Sequence, residues 1–229
     1  MAKLNEIIYM CMDELKLSSD DSYFTSDHIR FLLSKYRSFL LKQRYSDIKK
    51  AIPDSNISTI CLDLIEVPAI SGEACEGGSY LRTSSKVPFM MNIKMPRVYP
   101  VDYYQGEITY VSRDRMKYVG YNKYLSNIIY CSLAPDNYIY FKSANPQYLY
   151  LEKVRISAVF TDFEETFHLQ CNEDGTICDI DDMEFPIESN LIPPLIELVV
   201  KELRTSEYAP EDNSNNANDD LSDITAGKR

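Results

Sequence analysis

The chain has 229 residues, 45% hydrophobic and 26% charged, which fits one large or two small globular domains with a real core. A formal net charge of −11 argues against a protein whose main task is gripping nucleic acid, because that needs a basic footprint. The six cysteines form no Cys-x-x-Cys pair, and neither an apolar leader nor a membrane-length span is present, so reduced thiols in a cytosol and no membrane partner are expected.

The N-terminal fifth reads as helical. Leu4, Ile7, Ile8, Cys11 and Leu15 recur at the spacing of an amphipathic helix, and Ser18-Ser-Asp-Asp-Ser22 breaks it. Thr25 is a credible N-cap with Asp27 in the first turn, and Ile29, Leu32, Leu33, Tyr36 and Leu40 then share a face. Pro53 requires this helix to end before it.

From Thr59 to Phe167 the pattern shortens to strand-length apolar runs. They are Ile60–Ile65, Ile128–Cys131, Tyr138–Phe141 and Val154–Phe160, bounded by Pro, Gly and Asn-Pro signals. Pro135-Asp-Asn137 is turn chemistry suited to a hairpin, whereas Pro88, Pro96 and Pro100 demote 87–100 to an edge strand or loop. The 18 tyrosines and 9 phenylalanines suit a pleated half-buried sheet, and they also suit a contact surface.

Helix returns at Leu195–Leu203, with Pro193 and Pro194 tolerated in its first turn and apolar residues around most of its circumference. The tail from Glu207 to Arg229 is rich in Asn and Asp. Ordering about 20 such residues costs on the order of 20–40 kcal/mol, which needs at least roughly 800 Å² of apolar burial. Tyr208, Ala209, Leu221 and Ile224 cannot supply that alone, so order in this tail requires another protein chain.

The fold expected is α+β. An N-terminal helical hairpin or bundle (1–56) precedes a central antiparallel β domain (57–184). A C-terminal helix (185–206) packs on the N-terminal helices, and an extended acidic tail (207–229) is ordered by neighbouring chains.

No constellation carries catalysis. His28 reads as a surface histidine, and His168 near Cys171 lacks an activated-nucleophile signature. His168, Cys171 and Cys178 match no zinc module, and the acids from Asp179 to Glu184 lack the calcium-loop pattern. Asn172-Glu-Asp-Gly175 looks like a hairpin turn. Phosphate-cradling glycine loops are missing. No cofactor, metal or enzymatic activity is expected.

Charge is more informative. Arg30, Arg37 and Arg44 are spaced by seven, as are Lys35, Lys42 and Lys49, so each set forms a stripe on a helix opposed only by Asp47. A solvated face, contact with phosphates by a nucleic-acid-binding helix over 30–50, and docking on an acidic surface are the three readings. An acidic surface exists in this chain, since Glu173–Asp223 carries fifteen Asp/Glu against Lys201 and Arg204. Head-to-tail assembly follows as an expectation, one subunit's tail lying on its neighbour's helices.

Leu4-Asn-Glu-Ile-Ile-Tyr9, Glu14–Ser22, His28–Arg37 and Ile52-Pro-Asp-Ser-Asn56 resemble the N-terminus of a virion structural protein of crAss-like phages infecting gut Bacteroidales. Phe185-Pro-Ile187, Leu191-Ile-Pro193 and Pro210–Ala217 add to the likeness at the other end. These are the ring proteins stacked beneath the portal, between capsid and short tail. The order of helices, small β domain, last helix and tail is also similar to the tail-tube adaptors of other short-tailed phages.

The resemblance implies a multimeric ring, dodecameric like a portal, which extends the DNA channel and contacts portal and other ring or tail proteins. The genome would pass through the lumen without specific binding. The residues it implies for subunit or portal contact are Arg30, Lys35 and Arg37, joined on the same stripes by Lys42 and Arg44. In the tail they are Pro210, Glu211, Asp212, Asn215 and Asn216, with Leu221 and Ile224 as apolar anchors.

Overall fold

A computed structural model describes residues 2–16, 24–47, 50–68, 79–101, 106–120, 123–171 and 179–207. Two long helices open the chain, α1 (Leu4–Lys16) and α2 (Ser26–Arg44). The Thr25 side chain accepts the His28 N–H at 3.3 Å, as its N-cap position requires. Leu4, Ile7, Ile8, Cys11 and Leu15 are all buried, so the helical stripe in the sequence is the face that packs. The C-terminal α5 (Ile192–Glu207) lies on both helices, burying Leu195, Ile196, Val199, Val200 and Leu203.

Among the described residues, the middle of the chain forms seven strands. They are β1 (Ser58–Pro68), β2 (Ser79–Thr83), β3 (Arg97–Pro100), β4 (Thr109–Tyr110), β5 (Tyr130–Leu133), β6 (Ile139–Lys142) and β7 (Lys153–Ala158). Two short helices, α3 (Arg113–Met116) and α4 (Phe163–Phe167), follow β4 and β7. The strand order is β3-β7-β1-β2-β6-β5-β4. Every pairing is antiparallel except β4 with β5, which is parallel and so departs from the purely antiparallel expectation.

The two outer strands are not free edges. The Ile108 N–H, just before β4, donates to the Val98 carbonyl of β3 at 2.7 Å, and this bridge closes the sheet on itself. Ile60, Leu62, Leu81, Val98, Ile108, Cys131, Ile139, Phe141, Val154 and Ile156 fill the interior, as small closed sheets require. Pro100 ends β3 where the expectation for 87–100 allowed a strand, at the margin.

The β5–β6 hairpin follows from its turn residues. Asn137 adopts φ +64, the Ala134 N–H donates to the Tyr138 carbonyl at 2.9 Å, and Asp136 Oδ1 accepts the Tyr138 N–H at 3.1 Å.

A second core holds the helices and reaches into the chain beyond the strands. Val159, Phe163, Phe167, Met183, Phe185 and Ile187 join α1, α2 and α5 there. Phe163 meets Phe185 edge to face at 5.0 Å between centroids. The first residues are pinned to the same region, with the Leu4 N–H on the Met183 carbonyl at 3.0 Å.

Arg37 joins the two cores. Its guanidinium is 0% exposed and donates from Nε to the Pro186 carbonyl at 2.7 Å, from Nη1 to Phe160 at 2.8 Å and from Nη2 to Asn56 at 3.4 Å. Asn56 is where the chain enters β1, Phe160 where it leaves β7, and Pro186 where it returns to the helices. Burial pulls the Arg37 pKa down to about 10, with the Asp162 carboxylate opposing that shift. The side chain therefore stays charged at neutral pH while surrounded by neutral acceptors.

The expectation of reduced thiols is corrected at one pair. Cys61 of β1 and Cys171 are joined in a disulfide, because the Cys61 N–H donates to the Leu169 carbonyl at 2.8 Å and brings the segment after α4 beside β1. A sequence separation of 110 hid this pairing. Cys11 and Cys131 are free and buried, whereas Cys75 and Cys178 lie outside the described residues.

Two stability outcomes follow. Arg37→Met strips three carbonyls of their donor and should lower the unfolding free energy by about 3–5 kcal/mol in denaturant titration. A loss below about 1 kcal/mol would mean that the guanidinium does not hold the joint. Reducing the Cys61–Cys171 bond should cost about 2–5 kcal/mol, given the long loop it closes. Cys61→Ser should have the lowered denaturant midpoint already and respond no further to reductant.

Candidate subunit interface

The basic stripe of α2 splits once it is folded. Arg37 is inside the protein and has no surface to offer. Arg30 pairs with Asp181 at 3.1 Å and with Asp27 at 3.3 Å. Lys35 Nζ donates to the two carboxylate oxygens of Glu202 at 2.8 and 3.2 Å, and the Tyr36 hydroxyl shares that carboxylate. Arg44 pairs with Glu188 at 3.4 Å, where the Tyr45 hydroxyl and the Asn56 amide also converge. Lys42 is exposed and has no ion pair among the described residues.

The acidic partners are therefore Asp181, Glu188 and Glu202, all from the acidic stretch expected to meet a neighbour. Much of the complementarity between basic helix and acidic C-terminal region is satisfied within one chain. The seven tail residues Pro210, Glu211, Asp212, Asn215, Asn216, Leu221 and Ile224 lie outside the described residues, as do Lys49 and the Asn172–Gly175 turn.

Burial also removes the two described free cysteines as nucleophiles. It pushes the Cys11 thiol up to about 12, assisted by Glu14, and raises Cys131 further, assisted by Glu107. Cys171 is held in the disulfide and cannot serve with His168 as a thiolate pair or as a metal ligand. Among the described residues no group of three His, Cys, Asp or Glu is placed to hold a metal. An open cleft of ≈ 790 Å³ lies against β1, β3 and β7, lined by Thr59, Tyr99, Arg155, Ser157 and Gln170, with no base beside a nucleophile.

What the surface does carry is exposed apolar area. Phe31 and Phe39 on α2 are 66% and 54% exposed, and Phe89 is 66% exposed. One point of backbone gathers the three. The Thr161 carbonyl accepts the Ser34 and Ser38 hydroxyls at 3.3 and 3.0 Å, between Phe31 and Phe39 along the helix. The Thr161 N–H donates to the Phe89 carbonyl at 2.8 Å, which sets Phe89 beside that face. Large side chains exposed together are uncommon on a monomer and mark contact surfaces.

A second exposed set sits on the barrel. Tyr118, Tyr124 and Leu125 follow α3, and Tyr150 ends a 3-10 turn at Pro146–Tyr150. The Ser143 hydroxyl donates to the Ser126 and Ile128 carbonyls, so these two loops are adjacent. Arg115 and Lys117 here have no ion pair among the described residues. The signal for both patches in the sequence was only the aromatic count, since Phe31, Phe39 and Phe89 converge through a contact no local pattern reports.

Comparison with known proteins identifies the family. The family model described as phage tail ring protein 2 matches residues 6–221. Ring protein 2 of Bacteroides phage crAss001 is 70% identical over 220 residues, covering 96% of this chain and 98% of that protein. Such identity extends through the β region from Ser71 to Phe160, where the sequence by itself carried no resemblance. With the match running through both cores, the chain belongs to the phage tail ring protein 2 family.

Proposed function

We propose that the chain is a non-enzymatic structural subunit that closes with copies of itself into a ring, dodecameric as the portal resemblance implies. The ring would lie in the connector between portal and tail and extend the DNA channel. Its other partners would be the portal and further ring or tail proteins. The observation that supports this most is the pair of exposed apolar patches in a member of a ring-protein family, one on α2 and one on the barrel. A ring needs two different surfaces on each subunit, because its contacts are heterologous. Obligate contacts of this kind commonly bury more than about 2,000 Å².

The net charge of −11 suits a lumen that DNA crosses. A negative wall repels phosphates, so the genome slides instead of adhering. This fits a virion component assembled in the host cytoplasm.

Light scattering on the full chain, followed by end-on imaging, tests the ring. The expected mass is a multiple that matches the imaged symmetry, whereas a chain that stays monomeric alone and on a portal template would overturn it. Tyr118→Ser with Tyr150→Ser should weaken assembly at least tenfold while moving the monomer's stability by no more than about 0.5 kcal/mol, since both side chains are exposed.

The alternative is a nucleic-acid-binding module using the helix over 30–50. Arg37 is buried, and Arg30, Lys35 and Arg44 are paired within the chain, which leaves Lys42 as the unpaired cation of those two stripes among the described residues. Duplex DNA titrated at low salt should therefore show a log K against log salt slope no steeper than about −1 to −2. A steep slope that Lys42→Glu abolishes would favour the module instead.

A further inference from the structure

We propose that the outer face of α2, with Phe31, Lys35, Phe39 and Lys42, is the seat for the C-terminal segment 208–229 of an adjacent copy of this chain. This rests on the ring reading above and names the surface and the segment that would meet. It also relocates the expected contact. The arginine stripe is turned inward or paired, and the exposed seat lies around the helix from it, with Phe89 at its border.

Chemistry selects the occupant. The seat is aromatic with cations beside the rings, Lys42 lacking an ion pair among the described residues and Lys35 keeping half of its side chain exposed. A fitting ligand is an acidic segment with isolated apolar anchors. The tail supplies that composition in Asp219-Asp-Leu-Ser-Asp-Ile224, with Leu221 and Ile224 set among Asp219, Asp220 and Asp223.

Spacing fits as well. Phe31 and Phe39 are separated by eight residues of helix, a rise of about 12 Å. In extended chain Asp219 and Asp223 flank Leu221 on one face and are separated by about 13 Å. One apolar anchor, Leu221, can therefore lie against the two rings, while Asp219 and Asp223 on its own face reach the lysines and Ile224 points to the other side.

The exit of α5 bears on which copy supplies the tail. Glu188 ahead of α5 meets Arg44 and Tyr45, and Glu202 near its end meets Lys35, so α5 runs antiparallel to α2. Past Glu202, α5 runs on to Glu207 in the direction of the α2 N-terminus, with Arg204 donating to the Glu14 carbonyl near the end of α1 at 3.0 Å. About 14 residues then precede Leu221, a reach of roughly 46 Å, while the whole of α2 is only about 28 Å long. That reach covers a neighbour's helix as well as the same one, and the ring reading selects the neighbour. Each copy then gives a tail and receives one, a contact that closes around a ring.

The test places a benzoylphenylalanine photocrosslinker at Leu221 in the full-length chain and maps the adducts after irradiation. Covalent dimers and a higher ladder, with adducts on the Arg30–Arg44 stretch of the other copy, are expected. Adducts on the same copy's α2, adducts elsewhere, or none at all would overturn the proposal. Lys42→Glu should weaken assembly about tenfold, and Asp223→Lys in the same chain should restore most of it. Failure of that rescue counts against the contact. Light scattering on the unmodified chain reads the ring reading separately, since a ring that forms without the α2 adduct overturns only the seat.

Discussion

The structure depends on one buried guanidinium. Arg37 lies on α2, yet its three acceptors come from where the chain enters the barrel, where it leaves and where it returns to the helices. Strands β1 and β7, the first and last of the barrel, are neighbours, so one side chain can fix both their ends. A buried charge is costly unless its hydrogen bonds are satisfied, and planar guanidinium geometry suits three carbonyls in different directions. Lysine, with its point charge and flexible stem, would not reach all three. The orientation of the exposed α2 face relative to Phe89 follows from this joint, because Thr161, which sets Phe89 beside α2, is the residue after Phe160.

Charge acts at two ranges here. Near the joint, Glu188 receives Arg44, Tyr45 and Asn56 together, and its own N–H donates to Asn56 Oδ1 at 3.0 Å. Such pairs align α2 with the α5 lead-in, and the partly exposed ones contribute little to stability by themselves. A seven-residue repeat of cations reports a shared face and not which way that face points. For the arginine stripe the answer was nevertheless in the sequence. Leu33, Arg37 and Leu41 are successive at intervals of four, one ridge of the helix, and all three are buried. An arginine between two leucines on a packing ridge is a buried arginine unless something removes the leucines from the core.

Local chemistry made much of the fold legible. Thr25 capped its helix, Pro135-Asp-Asn137 turned its hairpin, and the apolar runs at 60–65, 138–141 and 154–160 contributed β1, β6 and β7. Non-local pairing was not legible. Closure through Ile108 and Val98, the parallel β4–β5 pair and the Cys61–Cys171 bond each join residues with no shared pattern. The candidate surface divides in the same way. Phe31 and Phe39 could be placed on one helix by spacing, but their exposure depends on what packs around α2. Phe89 reaches them only through the hydrogen bonds of Thr161.

Exposed phenylalanine on a chain of net charge −11 sets two opposing demands. Like charge keeps free subunits apart and soluble, and the same repulsion must be overcome when copies meet. Salt relieves that overall repulsion, since charges beyond about 8 Å are largely screened at physiological strength. A local contact between lysine and aspartate weakens over the same range of salt. Apolar anchors resolve the conflict, because desolvating aromatic and aliphatic surface is insensitive to modest salt and supplies the attraction. Charge is then left to select the partner and register, and the aromatics to hold it. On that division of labour the aromatic positions govern how tightly copies hold, and Lys42 governs which segment they hold.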